Sequence, residues 1–247
     1  MRIGILGDVH SNLEALTSVV DALRKERIDH WLQVGDIVGY GPDPKACIDL
    51  IDELGCTVCL GNHDAAVVGL LDHDYFNVHA RSAVEWTRTQ LRERDFEFLR
   101  KLPLVVEHPE YTLVHGTLHM PELFGYVLTP VEALDSLRLQ RTSVCFVGHS
   151  HVPAVYMQRD IDDPRELEVV YDAEIRVSTR AKRRTLVNVG SVGQPRDEDP
   201  RAAYAIYDTE SRDLAIQRVD YDIAAVQRKI RAAGLPSVLA DRLTIGV

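Results

Sequence analysis

Three times in the first 64 residues, a short apolar run ends in a glycine and then in polar side chains of metal-ligand type. Residues 2–6 lead through Gly7 to Asp8-Val9-His10, residues 30–34 to Gly35-Asp36, and residues 56–60 to Gly61-Asn62-His63-Asp64. Between the runs, Leu13, Leu16, Val20 and Leu23 recur at helical spacing after the caps offered by Ser11-Asn12. Ala46, Ile48, Leu50, Ile51 and Leu54 outline a second helix stopped by Gly55. Strand and helix alternating in this way demand βαβ units and a largely parallel sheet. Right-handed crossovers put all three strand ends on one edge, where open α/β sheets bind ligands. A carboxylate two residues from an imidazole at that edge suits a divalent cation better than a protein core.

The remaining chain changes character. Residues 77–101 read as helical and polar-rich, marked by Ala80, Val84, Trp86, Leu91, Phe96 and Leu99. Residues 104–106 and 111–114 are predicted strands around a Pro109 turn, the second ending at His115-Gly116. Thr129-Pro130 starts a helix over 130–139, and residues 143–147 form a strand ending at Gly148-His149-Ser150-His151. Runs at 152–157, 167–171, 175–178, 185–189, 203–207 and 214–219 follow at hairpin spacing, so the second half is mostly antiparallel. A last helix starts at Asp222, runs to about Ala233 and is closed by Gly234 and Pro236. Residues 160–164 are the most loop-like. The expected fold is α/β of the α+β type: two mixed β-sheets packed as a sandwich, flanked by helices, with the site at the C-terminal edge of the strands. The 247 residues, 45% hydrophobic, supply one good-sized core, and a single domain over 1–247 is expected.

Several functions are excluded by composition. A net charge of −10 argues against polyanion binding by bulk attraction. The basic cluster Arg180, Lys182, Arg183 and Arg184 reads as a solvated loop or hairpin edge rather than a nucleic-acid patch. No run approaches the ~18 to 20 apolar residues of a membrane span, and the N-terminal run is too short for a signal-peptide core. Cys56 and Cys59 form a lone CxxC without a second pair. An offset of three in a strand puts their side chains on opposite faces, and four cysteines without disulfide spacing fit a reducing cytoplasm.

Five predicted strand ends thus carry Asp8 and His10, Asp36, Asn62 and His63, His115, and His149 and His151. In this order, Asp8-x-His10, Gly35-Asp36, Gly61-Asn62-His63-Asp64, Val114-His115-Gly116 and Gly148-His149-Ser150-His151 resemble the five blocks of the calcineurin-like metallophosphoesterase superfamily. The stretch Asn188-Val189-Gly190-Ser191, continuing to Asp197, is similar to a block of the small prokaryotic phosphodiesterase branch, with Val189 where a proline is usual. Gly39-Tyr40-Gly41-Pro42 is similar to a phosphoprotein phosphatase loop but lacks its arginine, which weakens a protein-phosphatase reading.

The resemblance implies that Asp8, His10, Asp36 and His151 bind one metal, and that Asp36, Asn62, His115 and His149 bind the other, with Asp36 bridging. Two divalent transition-metal ions, ~3.5 to 4 Å apart, hold a hydroxide and clamp the phosphoryl oxygens in such sites. The O and N donors, without thiolate, fit Mn, Fe, Zn or Ni, with Mn favoured. His63 matches the family's non-ligand histidine, a general acid or transition-state stabiliser. Asp64 either orients His63 or caps the following turn. Arg196, Tyr40 and Asn62 are the expected contacts to a small phosphoester substrate. Small phosphodiesters are the expected substrates. A phosphomonoesterase (protein phosphatases included) and a dinucleoside polyphosphate hydrolase share the chemistry. A non-catalytic scaffold of the same fold is set aside because every ligand and His63 are kept, and a nuclease because no long basic groove is present.

Overall fold

The computed structural model describes residues 1–159, 167–180 and 184–247. Two six-stranded sheets form among them. The first runs β3 (Thr57–Val58), β2 (His30–Gln33), β1 (Arg2–Leu6), β11 (Ala202–Asp208), β12 (Asp213–Val219) and β9 (Ile175–Ser178). The second runs β4 (Val105–His108), β5 (Tyr111–Val114), β6 (Val144–Val147), β10 (Arg184–Asn188), β7 (Ala154–Gln158) and β8 (Leu167–Val170). Within the first sheet β1, β2 and β3 are parallel; within the second, β5, β6 and β10 are. The other pairs are antiparallel. Two mixed sheets therefore stand where the sequence pattern places them.

Period-two alternation builds the layers. Ile3 and Ile5 of β1 face inward with Phe146 of β6, Val187 of β10 and Tyr207 of β11, forming the core between the sheets. Gly4 and Leu6 face the other way, onto helix α1 (Leu13–Arg24), whose Leu16, Val19 and Leu23 are fully buried. Helices α2 (Pro44–Glu53), α4 (Val78–Gln90) and α5 (Glu93–Arg100) contribute Ile51, Val84 and Leu99 to the same outer core. On the far side, α6 (Pro130–Leu139) lays Ala133 and Leu137 against Cys145 and Val147. Each such fully buried side chain is worth roughly 1.5–3 kcal/mol of transfer free energy. Helices lie outside both sheets, and no helix of the described residues is long and apolar enough to cross a membrane.

Local expectations meet corrections in a few places. The stretch 77–101 is two helices: Asp95 accepts the backbone N–H of Arg92 at 2.7 Å, and this cap starts a new helix after Leu91. The third strand shrinks to Thr57–Val58, and a short helix α3 (Asn62–Val67) begins at once after Gly61. Pro236 does not end the chain's helices, because α7 (Ile223–Ala232) is followed by α8 (Ser237–Asp241). Cys56 packs toward the helices and Cys59 into the inter-sheet core, on opposite faces as the offset requires. All four thiols are free. Arg184 is drawn off the solvated edge: its Nη1 donates to the carbonyls of Leu137 and Arg138, the exposed end of α6. Residues 160–164, Lys182 and Arg183 lie outside the described residues.

Candidate dimetal active site

The ends of β1, β2, β5 and β6, with the start of α3, converge on one point. Asp8, His10, Asp36, His115 and His151 are all 1% exposed or less there. Asp8, His10, Asp36, His149 and His151 all adopt positive φ, between 42° and 68°. Left-handed backbone at a non-glycine residue costs about 1–3 kcal/mol, so the fold stores strain at five candidate ligands. The strain aims their side chains at one another. Gly148 clears the way, since a Cβ there would lie 2.3 Å from Asp8 Oδ2.

Two clusters share one oxygen. In the first, His10 Nε2 lies 3.0 Å from His151 Nε2 and 3.5 Å from Asp36 Oδ2, and His151 Nε2 lies 3.3 Å from Asp8 Oδ1. In the second, His115 Nε2 lies 3.4 Å from the same Asp36 Oδ2, 3.0 Å from Asn62 Oδ1 and 3.1 Å from His149 Nδ1. All seven residues expected as ligands are thus brought together.

Do these residues fit a metal pair? The outer ring nitrogens decide it. His10 Nδ1 meets the Val38 carbonyl at 3.0 Å, His115 Nδ1 the Val34 carbonyl at 2.7 Å, and His151 Nδ1 the Gln194 carbonyl at 2.6 Å. A carbonyl only accepts, so each Nδ1 carries a proton and donates it. Burial holds His10, His149 and His151 well below the usual histidine range, leaving neutral rings. Two Nε2 lone pairs therefore face each other at the His10–His151 contact, an arrangement that calls for a cation between them. Burial opposes protonation of His115 as well, but the Asp36 charge pushes it up to about 9. That proton occupies a place a cation would take. Asp36 itself is buried, which would raise its pKa, yet His115 and His63 hold it well below the usual carboxylate range.

His63 adjoins this pair without the same anchoring. Its backbone N–H donates to Asp36 Oδ1 at 2.8 Å. Its ring packs 4.4 Å from the Tyr40 ring, 4.9 Å from Phe76 and 4.9 Å from His10. Nδ1 has no hydrogen-bond partner, and burial pushes the ring down to about 4. A His63 ring nitrogen also falls within 4.8 Å of ligand atoms of His10 and Asp36. Asp64 does not bond to this ring. It accepts from the N–H groups of Asp36 at 2.8 Å, Val38 at 3.1 Å, and Ile37 and Gly61 at 3.3 Å. It therefore caps α3 and at the same time clamps the loop that carries Asp36 and the Val38 carbonyl.

The 188–197 block now has a physical role. Asn188 Nδ2 donates to the Gly148 carbonyl at 2.7 Å, Ser191 Oγ to the Asp8 carbonyl at 2.9 Å, and the Gln194 carbonyl receives His151. Two ligand loops, 8–10 and 148–151, are fastened by one segment. Arg196 ends it: the guanidinium sits 5.7 Å over the Tyr40 ring, donates from Nη2 to Gln194 Oε1 at 2.9 Å, and keeps a buried Nε without a partner.

These groups floor a cleft of about 620 Å³ lined by Asp36, Tyr40, Asn62, His63, His149, His151 and Arg196. Tyr126, Phe76, Leu123 and Phe124 line it too. None of those four was marked by the sequence pattern, because they lie on connections without periodicity. For Leu123, Phe124 and Tyr126 the only signal was a long stretch between His115 and Thr129 carrying apolar residues with no predicted strand or helix to bury them.

Fold and site together define a phosphoester hydrolase whose buried His and Asp groups are arranged to hold metal. The chain belongs to the calcineurin-like phosphoesterase superfamily, whose domain model matches residues 1–212. The Methanocaldococcus jannaschii protein MJ0912 is 35% identical over 248 residues, covering 99% of this chain and 98% of its own. The crystal structure of a metallophosphoesterase from Sphaerobacter thermophilus matches with a TM-score of 0.88 and 38% identity, covering 100% of this chain and 99% of that one. A symmetrical bis(5'-nucleosyl)-tetraphosphatase of Nitrosomonas europaea is 32% identical over 119 residues, covering 47% of this chain and 43% of its own length.

Proposed function

We propose that the chain hydrolyses small phosphodiesters at a dinuclear centre, and that residues 1–247 form one catalytic domain. The observation that carries the reading is Asp36 Oδ2, placed 3.5 Å from His10 Nε2 and 3.4 Å from His115 Nε2. One carboxylate oxygen shared by two sets of neutral or displaceable donors is the arrangement a bridged metal pair requires. Asp8, His10, Asp36 and His151 would hold one cation; Asp36, Asn62, His115 and His149 the other. When bound, the cations supply Lewis acidity for water and for the phosphoryl oxygens.

The chain's own groups do the rest. His63 donates a hydrogen bond or a proton to the leaving oxygen. Arg196 pairs with a non-bridging phosphoryl oxygen, and Tyr40 holds both the His63 ring and the Arg196 guanidinium in place. The Asn62 side chain reaches the substrate from the edge of the cleft. A diester monoanion needs less positive charge than a monoester dianion, and Arg196 is the one lysine or arginine among the described lining residues. Helices α7 and α8 belong to the same unit, since Val226 and Ile230 of α7 and Leu239 of α8 share one buried cluster with Tyr40. The four free thiols support a reducing, cytoplasmic setting for the enzyme.

Two measurements test this. Assayed side by side, bis-p-nitrophenyl phosphate should turn over faster than p-nitrophenyl phosphate; a monoester rate a hundredfold higher would reverse the assignment. Metal analysis should find about two transition-metal ions per chain, with activity removed by EDTA and restored best by Mn²⁺. Activity indifferent to chelation would refute the dinuclear centre.

A further inference from the structure

Beyond the ligands, the cleft changes from polar to apolar. Tyr126 is the closest part of that wall to the centre: its ring stacks on the His149 imidazole with centroids 3.8 Å apart and planes inclined by 18°. One face is covered by a metal-ligand ring, yet the residue is 46% exposed and lines the cleft. Phe76 occupies the corresponding place beside His63, 4.9 Å from its ring. Leu123, 65% exposed, extends the apolar surface. An exposed aromatic ring on a polar base is an interface waiting for a partner with an apolar face.

This wall is held in position. A Cβ at Gly116 would lie 2.3 Å from the Gly125 carbonyl, so the chain leaving His115 runs directly against the chain entering Tyr126. Met120 and Phe124 flank the turn between them with φ of 47° and 49°. Left-handed backbone at two bulky residues is costly and persists only where the surrounding structure enforces it. The charges nearby select further. Asp72 and Glu122 line the cleft, and Arg196 is the sole lysine or arginine among the described lining residues. A chain of several phosphates extending from the metals would meet those carboxylates with no cation to answer them. A flat, uncharged ring would meet Tyr126.

We propose that Tyr126, backed by His149, is a stacking platform for a planar aromatic ester group, so that the substrate carries one phosphoryl group and a nucleobase or aryl ring rather than a polyphosphate. This rests on the phosphoester reading of the same site. Calorimetric titration of the metal-loaded protein with thymidine 5'-phosphate, phenyl phosphate and methyl phosphate tests it by binding. The three share a phosphate monoester and differ in the ring. An aromatic ligand should bind about tenfold more tightly than methyl phosphate, within the range of a single base–aromatic stack. Tyr126→Ala should bring that ratio close to one, and Tyr126→Phe should keep it. A gain for thymidine 5'-phosphate alone identifies a nucleoside; an equal gain for phenyl phosphate identifies any aryl group. Equal affinity for all three ligands in the unmodified protein overturns the platform. So does a Tyr126→Ala protein that weakens all three alike, which would make the ring a support for His149. Diadenosine tetraphosphate binding more tightly than thymidine 5'-phosphate overturns the single-phosphoryl assignment. Binding is read whichever ester is hydrolysed, so the platform and the diester preference fail separately.

Discussion

Asp36→Asn should leave a folded protein that holds at most one cation tightly and has lost its activity. The same Asp36 oxygen stands 3.5 Å from His10 Nε2 and 3.4 Å from His115 Nε2, so both clusters lose a negative donor at once. Repulsion between two dications is fourfold that between unit charges at the same distance, and a shared anion is what offsets it. Asparagine keeps the volume and can still accept the His63 N–H that now bonds Asp36 Oδ1 at 2.8 Å. The loss is therefore one of charge and not of packing. Removing a hydrogen-bond partner of a ligand typically weakens metal binding ~10–100-fold; removing the charge of a shared ligand should exceed that for at least one cation. Metal analysis after dialysis gives the stoichiometry, and a thermal melt followed by circular dichroism confirms that the fold survives. Retention of both cations at unchanged affinity would show that Asp36 does not bridge.

Why was the cluster of candidate ligands legible in the sequence when the apolar wall of the cleft was not? Each candidate ligand lies beside a glycine at the end of an apolar run, after it in most cases and before Gly116 for His115, and that pattern is local: a buried strand, then a turn, then a polar side chain on the binding edge. The register is set by period-two burial, as Ile3 and Ile5 facing inward and Leu6 facing α1 illustrate. The outer hydrogen bonds were hidden, because Val34, Val38 and Gln194 contribute backbone carbonyls that any residue would offer. Asp64 was hidden differently. A capping aspartate after a glycine is a local pattern, but its bonds to Asp36, Ile37 and Val38 cross 26 to 28 residues. The break after Leu91 escaped because the apolar markers keep helical spacing through it, and only the pairing of Arg92 with Asp95 restarts the helix. Tyr126 and Phe76 escaped altogether. Their positions follow from the stack of Tyr126 on His149 and the tilted contact of Phe76 with His63, which no periodicity encodes.

His63→Ala separates the chemistry from the metals. The ring is buried between Tyr40 and Phe76, but its loss leaves the backbone N–H free to keep bonding Asp36 Oδ1. Both cations should therefore stay, and kcat should fall roughly 10²- to 10⁴-fold, the span of a positioned proton donor. The size of the fall should depend on the leaving group. Nitrophenolate departs with little help, so the smallest losses belong to nitrophenyl esters, and the largest to esters of plain alcohols. Burial pushes the unliganded ring down to about 4, so at neutral pH it starts neutral and donates a ring N–H. An anionic phosphoryl oxygen beside it favours the protonated form. A loss that grows with leaving-group pKa identifies proton donation. A loss of equal size for nitrophenyl and alkyl esters identifies stabilisation of charge on the phosphoryl oxygens instead. A variant that releases a cation makes His63 a ligand, the role open to it from its closeness to His10 and Asp36. A variant with full metal content and full activity on alkyl esters would remove His63 from the mechanism.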